Sequence, residues 1–158
     1  MRNAGIGGEV AETTLPRLQT AIKSGWPQLV IWQVGTNDAL VGVDAARVRS
    51  LIEVGVNAAR VAGAPIVLID PQYTIRETST PKMRPYAEIV DAVGAAARVP
   101  VAQRYLSMQA LAERGALAPL FSKDGLHEDD LGYDCLAVSL ANLIDRAPAP
   151  QLAHAGQP

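Results

Sequence analysis

The sequence predicts a three-layer α/β/α domain built on a mainly parallel sheet, and three observations carry that prediction. Short runs that are apolar at every position, "LVIWQV" and "PIVLID", alternate with longer segments whose apolar residues recur at helical spacing. A strand that is apolar throughout is buried on both faces, and strands separated by helices pair in parallel through crossovers. The chain has 158 residues, 49% of them apolar and 19% charged, which suits one domain around a single core.

Each element follows in turn. "NAGIGGE" (Asn3 to Glu9) reads as a glycine-rich loop. Leu15, Leu18 and Ile22 share one face of a helix from about Thr13 to Lys23, where Pro16 falls in the first turn. Leu29 to Val34 is a buried strand, rich in β-branched and aromatic residues, and it runs into Gly35-Thr36-Asn37-Asp38. Asp44 can cap a helix reaching about Ala62, with Gly63 and Pro65 ending it. Pro65 to Asp70 is the second buried strand.

Pro71 to Pro85 carries three prolines and no clean period, so it reads as a long loop. A helix is expected from about Tyr86 to Arg98, a short strand in "VPVAQRY", and a helical stretch from Ser107 to Arg114. "FSKDGLHEDD" is a polar loop. The last helix starts near Asp129 or Asp130, with Tyr133, Leu136, Ala137, Leu140, Leu143 and Ile144 as its apolar stripe. Residues 147–158 lack a core-forming pattern and read as a disordered tail, leaving residues 1–146 as one domain.

Several function classes are disfavoured. The net charge is −2 with both signs mixed and no basic run, which argues against nucleic acid as a partner. The one cysteine, Cys135, permits no internal disulfide or cysteine metal cluster, and its place on the last helix suggests a buried, inert thiol. No apolar run is long enough to cross a bilayer. Met1-Arg2 leads straight into the glycine loop without a signal-peptide core, so the sequence leaves localisation open. No metal cluster or phosphate loop is present, and no cofactor is expected.

Right-handed crossovers put the carboxyl ends of parallel strands on one rim, where ligands of such sheets bind. Three segments should meet there. The glycine loop around Gly8 can turn backbone N–H groups outward. Asn37 offers a neutral side-chain amide suited to a developing oxyanion, and Asp38 can hold its turn through its carboxylate. In Asp124-Gly125-Leu126-His127, a compact turn lets the carboxylate accept from one imidazole nitrogen while the other faces the rim, the arrangement of a general base. His154, the only other histidine, lies in the tail. A base, its orienting acid and oxyanion donors are three of the four parts of acyl transfer.

At this point the chain resembles the SGNH (GDSL-type) hydrolases, esterases and lipases with a flavodoxin-like fold. "NAGIGGE" resembles their glycine block, with Gly8 at the glycine's position. "GTND" matches the Gly-x-Asn-Asp block, and "DGLH" matches the Asp-x-x-His block. The resemblance implies ester hydrolysis with Asp124 and His127 as catalytic acid and base, Gly8 and Asn37 in the oxyanion hole, and a small-molecule, carbohydrate or lipid ester as substrate. The loop after the second strand then places Gln72, Tyr73 and Arg76 near substrate.

The family's Gly-Asp-Ser nucleophile block is absent from this sequence, and Ser79 is its only faint stand-in. The resemblance therefore implies that the family's first two strands are missing. The chain as given is expected to be a fragment, inactive alone, with strand 29–34 left as an open edge able to pair with another copy. Three other readings stay open: a non-catalytic binding descendant, a receiver or flavin-binding module, and a metal-dependent phosphoesterase using Asp38, Asp124 and His127.

Overall fold

The computed structural model of the chain describes residues 2–25, 27–76 and 79–146. Three strands form its sheet: β1 (Val30–Gln33), β2 (Ile66–Ile69) and β3 (Val101–Ala102). They lie in the order β1-β2-β3 and both pairs are parallel, with Val30 opposite Ile66 and Leu68 opposite Val101. The α/β class with a parallel sheet is as the sequence predicts.

Helices α1 (Ala11–Lys23), α3 (Ala45–Val61) and α4 (Thr80–Ala97) pack side by side, α1 on α3 and α3 on α4. Trp32 of β1 is buried against this layer and donates its indole N–H to Thr14 Oγ1 at 3.3 Å. Ile66 and Leu68 of β2 belong to the same core, together with Ile52, Val48, Met83 and Val90. Val67 and Ile69 alternate to the opposite face and are buried too, so β2 is covered on both sides. On that opposite face β1 is open, for Ile31 is 43% exposed. Among the described residues no strand pairs with the outer edge of β1.

Asp44 caps α3 as expected, accepting the Arg47 N–H at 2.9 Å. Other boundaries depart from the sequence expectation. The predicted loop from Pro71 to Pro85 is helical from Thr80 onward. Pro81 stands in the first turn, where a missing N–H has no partner to lose, and Pro85 is accommodated one turn further on. Gly35-Thr36-Asn37-Asp38 is no plain turn but the start of a short helix, α2 (Thr36–Val41). Gly35 makes this break from β1 with φ +99°, and a Cβ there would lie 3.0 Å from Pro71 Cγ.

The strand predicted in "VPVAQRY" shrinks to two residues because α5 (Arg104–Glu113) begins within it. The buried Asp70 carboxylate captures the Arg104 N–H at 2.6 Å and the Tyr105 N–H at 3.2 Å, so these donors start a helix instead of extending the ladder. After a 3-10 turn at Ala118–Leu120 and the polar loop comes α6 (Asp130–Arg146). It docks through Gly132, its only buried residue, where a Cβ would meet the Leu120 carbonyl oxygen at 2.5 Å. The predicted stripe is thus half-covered: Leu136, Leu140, Leu143 and Ile144 are partly buried, whereas Tyr133 and Ala137 are exposed. Cys135 is exposed, contrary to expectation, because this docking turns it to the margin of the α5–α6 crevice. Residues 147–158, read as a tail, lie outside the described residues.

Candidate active site

The carboxyl end of β1 delivers the first group. Asn37, in the first turn of α2, donates Nδ2–H to the Glu9 carbonyl at 2.8 Å. That bond decides the amide orientation and leaves the second Nδ2–H uncommitted by it. Asp38, 1% exposed, reaches back to cap α1, its two carboxylate oxygens accepting the Ala11 N–H at 3.0 Å and 3.2 Å. Burial raises its pKa, and the Ala11 N–H pulls it back toward the ionised form. Asp38 therefore holds the start of a distant helix, and not merely the turn in which it sits. Gly8, with φ +81°, is exposed one residue before Glu9. Arg17 ties this loop to α1 by pairing with Glu9 and donating to the Ala4 carbonyl.

The second group forms within four residues. His127 Nδ1–H donates to Asp124 Oδ2 at 2.5 Å, while Asp124 Oδ1 accepts the Leu126 and His127 N–H groups at 2.9 Å each. Ser122 Oγ donates to the same oxygen at 2.8 Å. These bonds, the imidazole first, hold the Asp124 carboxyl well below the usual carboxylate range. The His127 side chain is 70% exposed, so Nε2 is open to an incoming group.

Gln72, in the loop just beyond β2, links the two groups. Its Oε1 accepts Thr36 Oγ1–H at 2.9 Å, next to Asn37, and its Nε2 donates to the Leu126 carbonyl at 3.2 Å, next to His127. The sequence suggested a solvated loop residue near substrate, but Gln72 is 7% exposed. Arg104 supports it from α5, donating Nη2–H to Gln72 Oε1 at 2.8 Å and to the Asp70 carbonyl at 3.1 Å. The same guanidinium pairs with Glu128, the residue after His127, through Nη1 at 3.4 Å.

Of the other candidates, Tyr73 is half-buried and stacks edge-on against Tyr105, with ring centres 5.4 Å apart. Arg76 is exposed, with its Cγ beside Gly125 of the histidine loop. Ser79 is buried and Ser122 is committed to Asp124, so neither presents a free hydroxyl to the rim. Among the described residues no group of three His, Cys, Asp or Glu side chains could hold a metal ion. No described helix is long and apolar enough to cross a membrane.

Sequence reasoning missed Arg104, Glu128 and Asp70. Their signal is the charge of Arg104 inside an apolar strand pattern and of Asp70 at a strand end, which acquires meaning only with the partners present.

Comparison with known proteins agrees with the fold. A sequence model of the non-GDSL lipase-like family matches residues 1–149. No curated protein sequence matches the chain. Among solved structures, the chain is similar to a lipase/acylhydrolase from Enterococcus faecalis, with a TM-score of 0.77 and 24% identity over 92% of this chain and 75% of that one. It is similar to a catalytic mutant of an acetylxylan esterase from Geobacillus stearothermophilus, with a TM-score of 0.78 and 17% identity over 90% of this chain and 70% of that one. A psychrotrophic esterase from Pseudoalteromonas is similar at a TM-score of 0.72 and 19% identity, over 91% of this chain and 75% of that one. At these identities the solved structures establish the fold alone.

Proposed function

The chain belongs to the non-GDSL lipase-like family, and from that premise we propose that it carries the acid–base and oxyanion parts of a serine-type hydrolase of small-molecule esters. The observation that carries the proposal is the 2.5 Å contact of His127 Nδ1 with Asp124 Oδ2, beside an exposed ring. A hydroxyl nucleophile attacks the ester carbonyl as His127 Nε2 takes its proton and Asp124 stabilises the imidazolium. The oxyanion is received by the Gly8 N–H and the second Nδ2–H of Asn37. His127 then returns the proton to the leaving alcohol, and a water repeats the sequence to release the acid.

No serine of this chain is assigned as the nucleophile. The chain covers 75% and 70% of the length of two of the similar structures named above, and we place the attacking hydroxyl in the part of that length it does not cover. That reading leaves the 29–34 strand as an edge for pairing, with a preceding segment or with a second copy. Light scattering that finds a monomer at all concentrations would remove the second copy.

Acyl esters and acetyl sugars are the first substrates to test, since the similar structures include an acylhydrolase and an acetylxylan esterase. The experiment is hydrolysis of p-nitrophenyl acetate and acetylated xylose by the chain and by its upstream-extended gene product, each with and without His127→Ala. Turnover in the extended form that vanishes with His127→Ala is expected. Turnover indifferent to His127, or none in either form, would sink the proposal.

A further inference from the structure

His127 is exposed and its ring is hydrogen-bonded to Asp124 of its own loop, so its position relative to Asn37 depends on what holds that loop. Two polar side-chain contacts from outside it do, one on each side of His127, beside the packing of Leu126 on the core and of Gly125 on Ile75 and Arg76. The Leu126 carbonyl accepts from Gln72 Nε2, and the Glu128 carboxylate accepts from Arg104 Nη1. Gln72 and Arg104 are themselves joined, and both are buried.

We infer that Gln72 is a positioning residue, whose carboxamide sets the separation of the Asn37 turn and the His127 loop, and that Arg104 decides which way that carboxamide points. An amide can flip, exchanging its donor and acceptor ends. A guanidinium has donors only, so the amide oxygen must face Arg104 and also receive Thr36 Oγ1–H. The NH2 end is thereby left for the Leu126 carbonyl, an acceptor only. One side chain then spans the carboxyl ends of β1 and β2 and the loop before α6. This role rests on the proposed reaction for its use, but the geometry is testable without turnover.

The discriminating variant is Gln72→Glu. A carboxylate fills the same space and keeps Thr36 and Arg104 as donors, yet it cannot donate to the Leu126 carbonyl. Amide hydrogen exchange by NMR on the full chain is the readout. Leu126 and His127 N–H should exchange at least about tenfold faster in Gln72→Glu, with the amides of α3 unchanged. Unaltered exchange in the loop would overturn the inference.

A variant-free measurement stands beside it, in case the substitution unfolds the chain. The side-chain amide protons of Gln72 should exchange about tenfold more slowly than those of the exposed Gln28. Equal rates would overturn the inference whatever the variant does. In a form with ester turnover, Gln72→Glu should lower kcat roughly 10- to 100-fold with KM within about twofold. Lost protection in the loop with no turnover in any form would refute the esterase reading and leave the tether standing. A full kcat in Gln72→Glu would refute the positioning role.

Discussion

Asp38 and Ala11 lie 27 residues apart, yet the carboxylate of one accepts the backbone N–H of the other at 3.0 Å and 3.2 Å. Val10, at the N-cap position of α1, has no side-chain cap of its own. The acidic residue of the Gly-x-Asn-Asp block therefore caps the helix that follows the glycine loop, while Asn37 holds the Glu9 carbonyl just before it. Two of the three rim segments are joined by adjacent residues.

Asp38→Ala should cost about 2 kcal/mol of stability, because it strips a buried helix start of its acceptor. Asp38→Asn keeps one acceptor oxygen and should cost less. Urea unfolding of both variants measures this, and a loss below about 0.5 kcal/mol for Asp38→Ala would show that the cap contributes little.

Asp124→Asn and His127→Ala should act on turnover and hardly on folding. The two side chains are 48% and 70% exposed, so unfolding midpoints should stay near that of the parent chain. In a form with ester turnover, His127→Ala should abolish the reaction. Asp124→Asn should lower kcat by roughly 10⁴, since it presents the wrong hydrogen-bond partner to the imidazole. Steady-state kinetics beside thermal melts separates the two effects.

Asp70 predicts a pH dependence. Burial lifts its carboxyl from 3.8 to about 7, against the pull of the Tyr105 and Arg104 donors. The folded chain thus keeps a proton that the unfolded chain releases near 3.8. The resulting stability is fully present below pH 3.8 and is lost as pH rises through about 7. The change is up to about 4 kcal/mol. Asp124 has the opposite sign, its depressed pKa favouring the folded chain above pH 3.8, but its exposed side chain is screened by solvent and the contribution is small. The difference in unfolding free energy between the parent chain and Asp70→Asn, followed from pH 4 to 8, isolates the first effect. A flat difference would exclude it.

Arg104 and Glu128 are 6% and 4% exposed, and among the described residues Arg104 Nε and Glu128 Oε2 have no hydrogen-bond partner. Arg104→Met should cost about 3–5 kcal/mol by leaving a buried carboxylate uncompensated. The Arg104→Met/Glu128→Leu double variant should recover at least about 1 kcal/mol of that loss. A double-mutant cycle reads the coupling directly, and strict additivity would show that the pair is not coupled.

Gly132→Ala should destabilise by about 1–3 kcal/mol, because the added Cβ meets a backbone carbonyl that cannot rotate away. Thermal melts of this variant beside Ala137→Gly, on the exposed side of α6, compare a packing cost with a propensity cost of about 1 kcal/mol. A Gly132→Ala chain as stable as the parent would mean that α6 does not dock through Gly132.

The sequence by itself determined what depends on near neighbours. The all-apolar runs became β1 and β2, the helical periods became α1 and α3, and Asp44 capped α3 as its position suggested. The Asp124–His127 pair was legible for the same reason, since three residues of spacing and one glycine turn suffice to form it. Tertiary structure alone decided where the strand-end polar groups find partners. Asp38 caps α1, Asp70 starts α5 and cuts β3 short, and Gln72 bonds to both Thr36 and Leu126. Helical period likewise told which residues of α6 share a face, but only the approach of Gly132 to Leu120 decided that Cys135 would be exposed. The physical reason is common to all of these. A period or a turn is fixed by contacts a few residues long, whereas a buried polar side chain takes whatever donor or acceptor the folded chain brings within 3 Å or so of it.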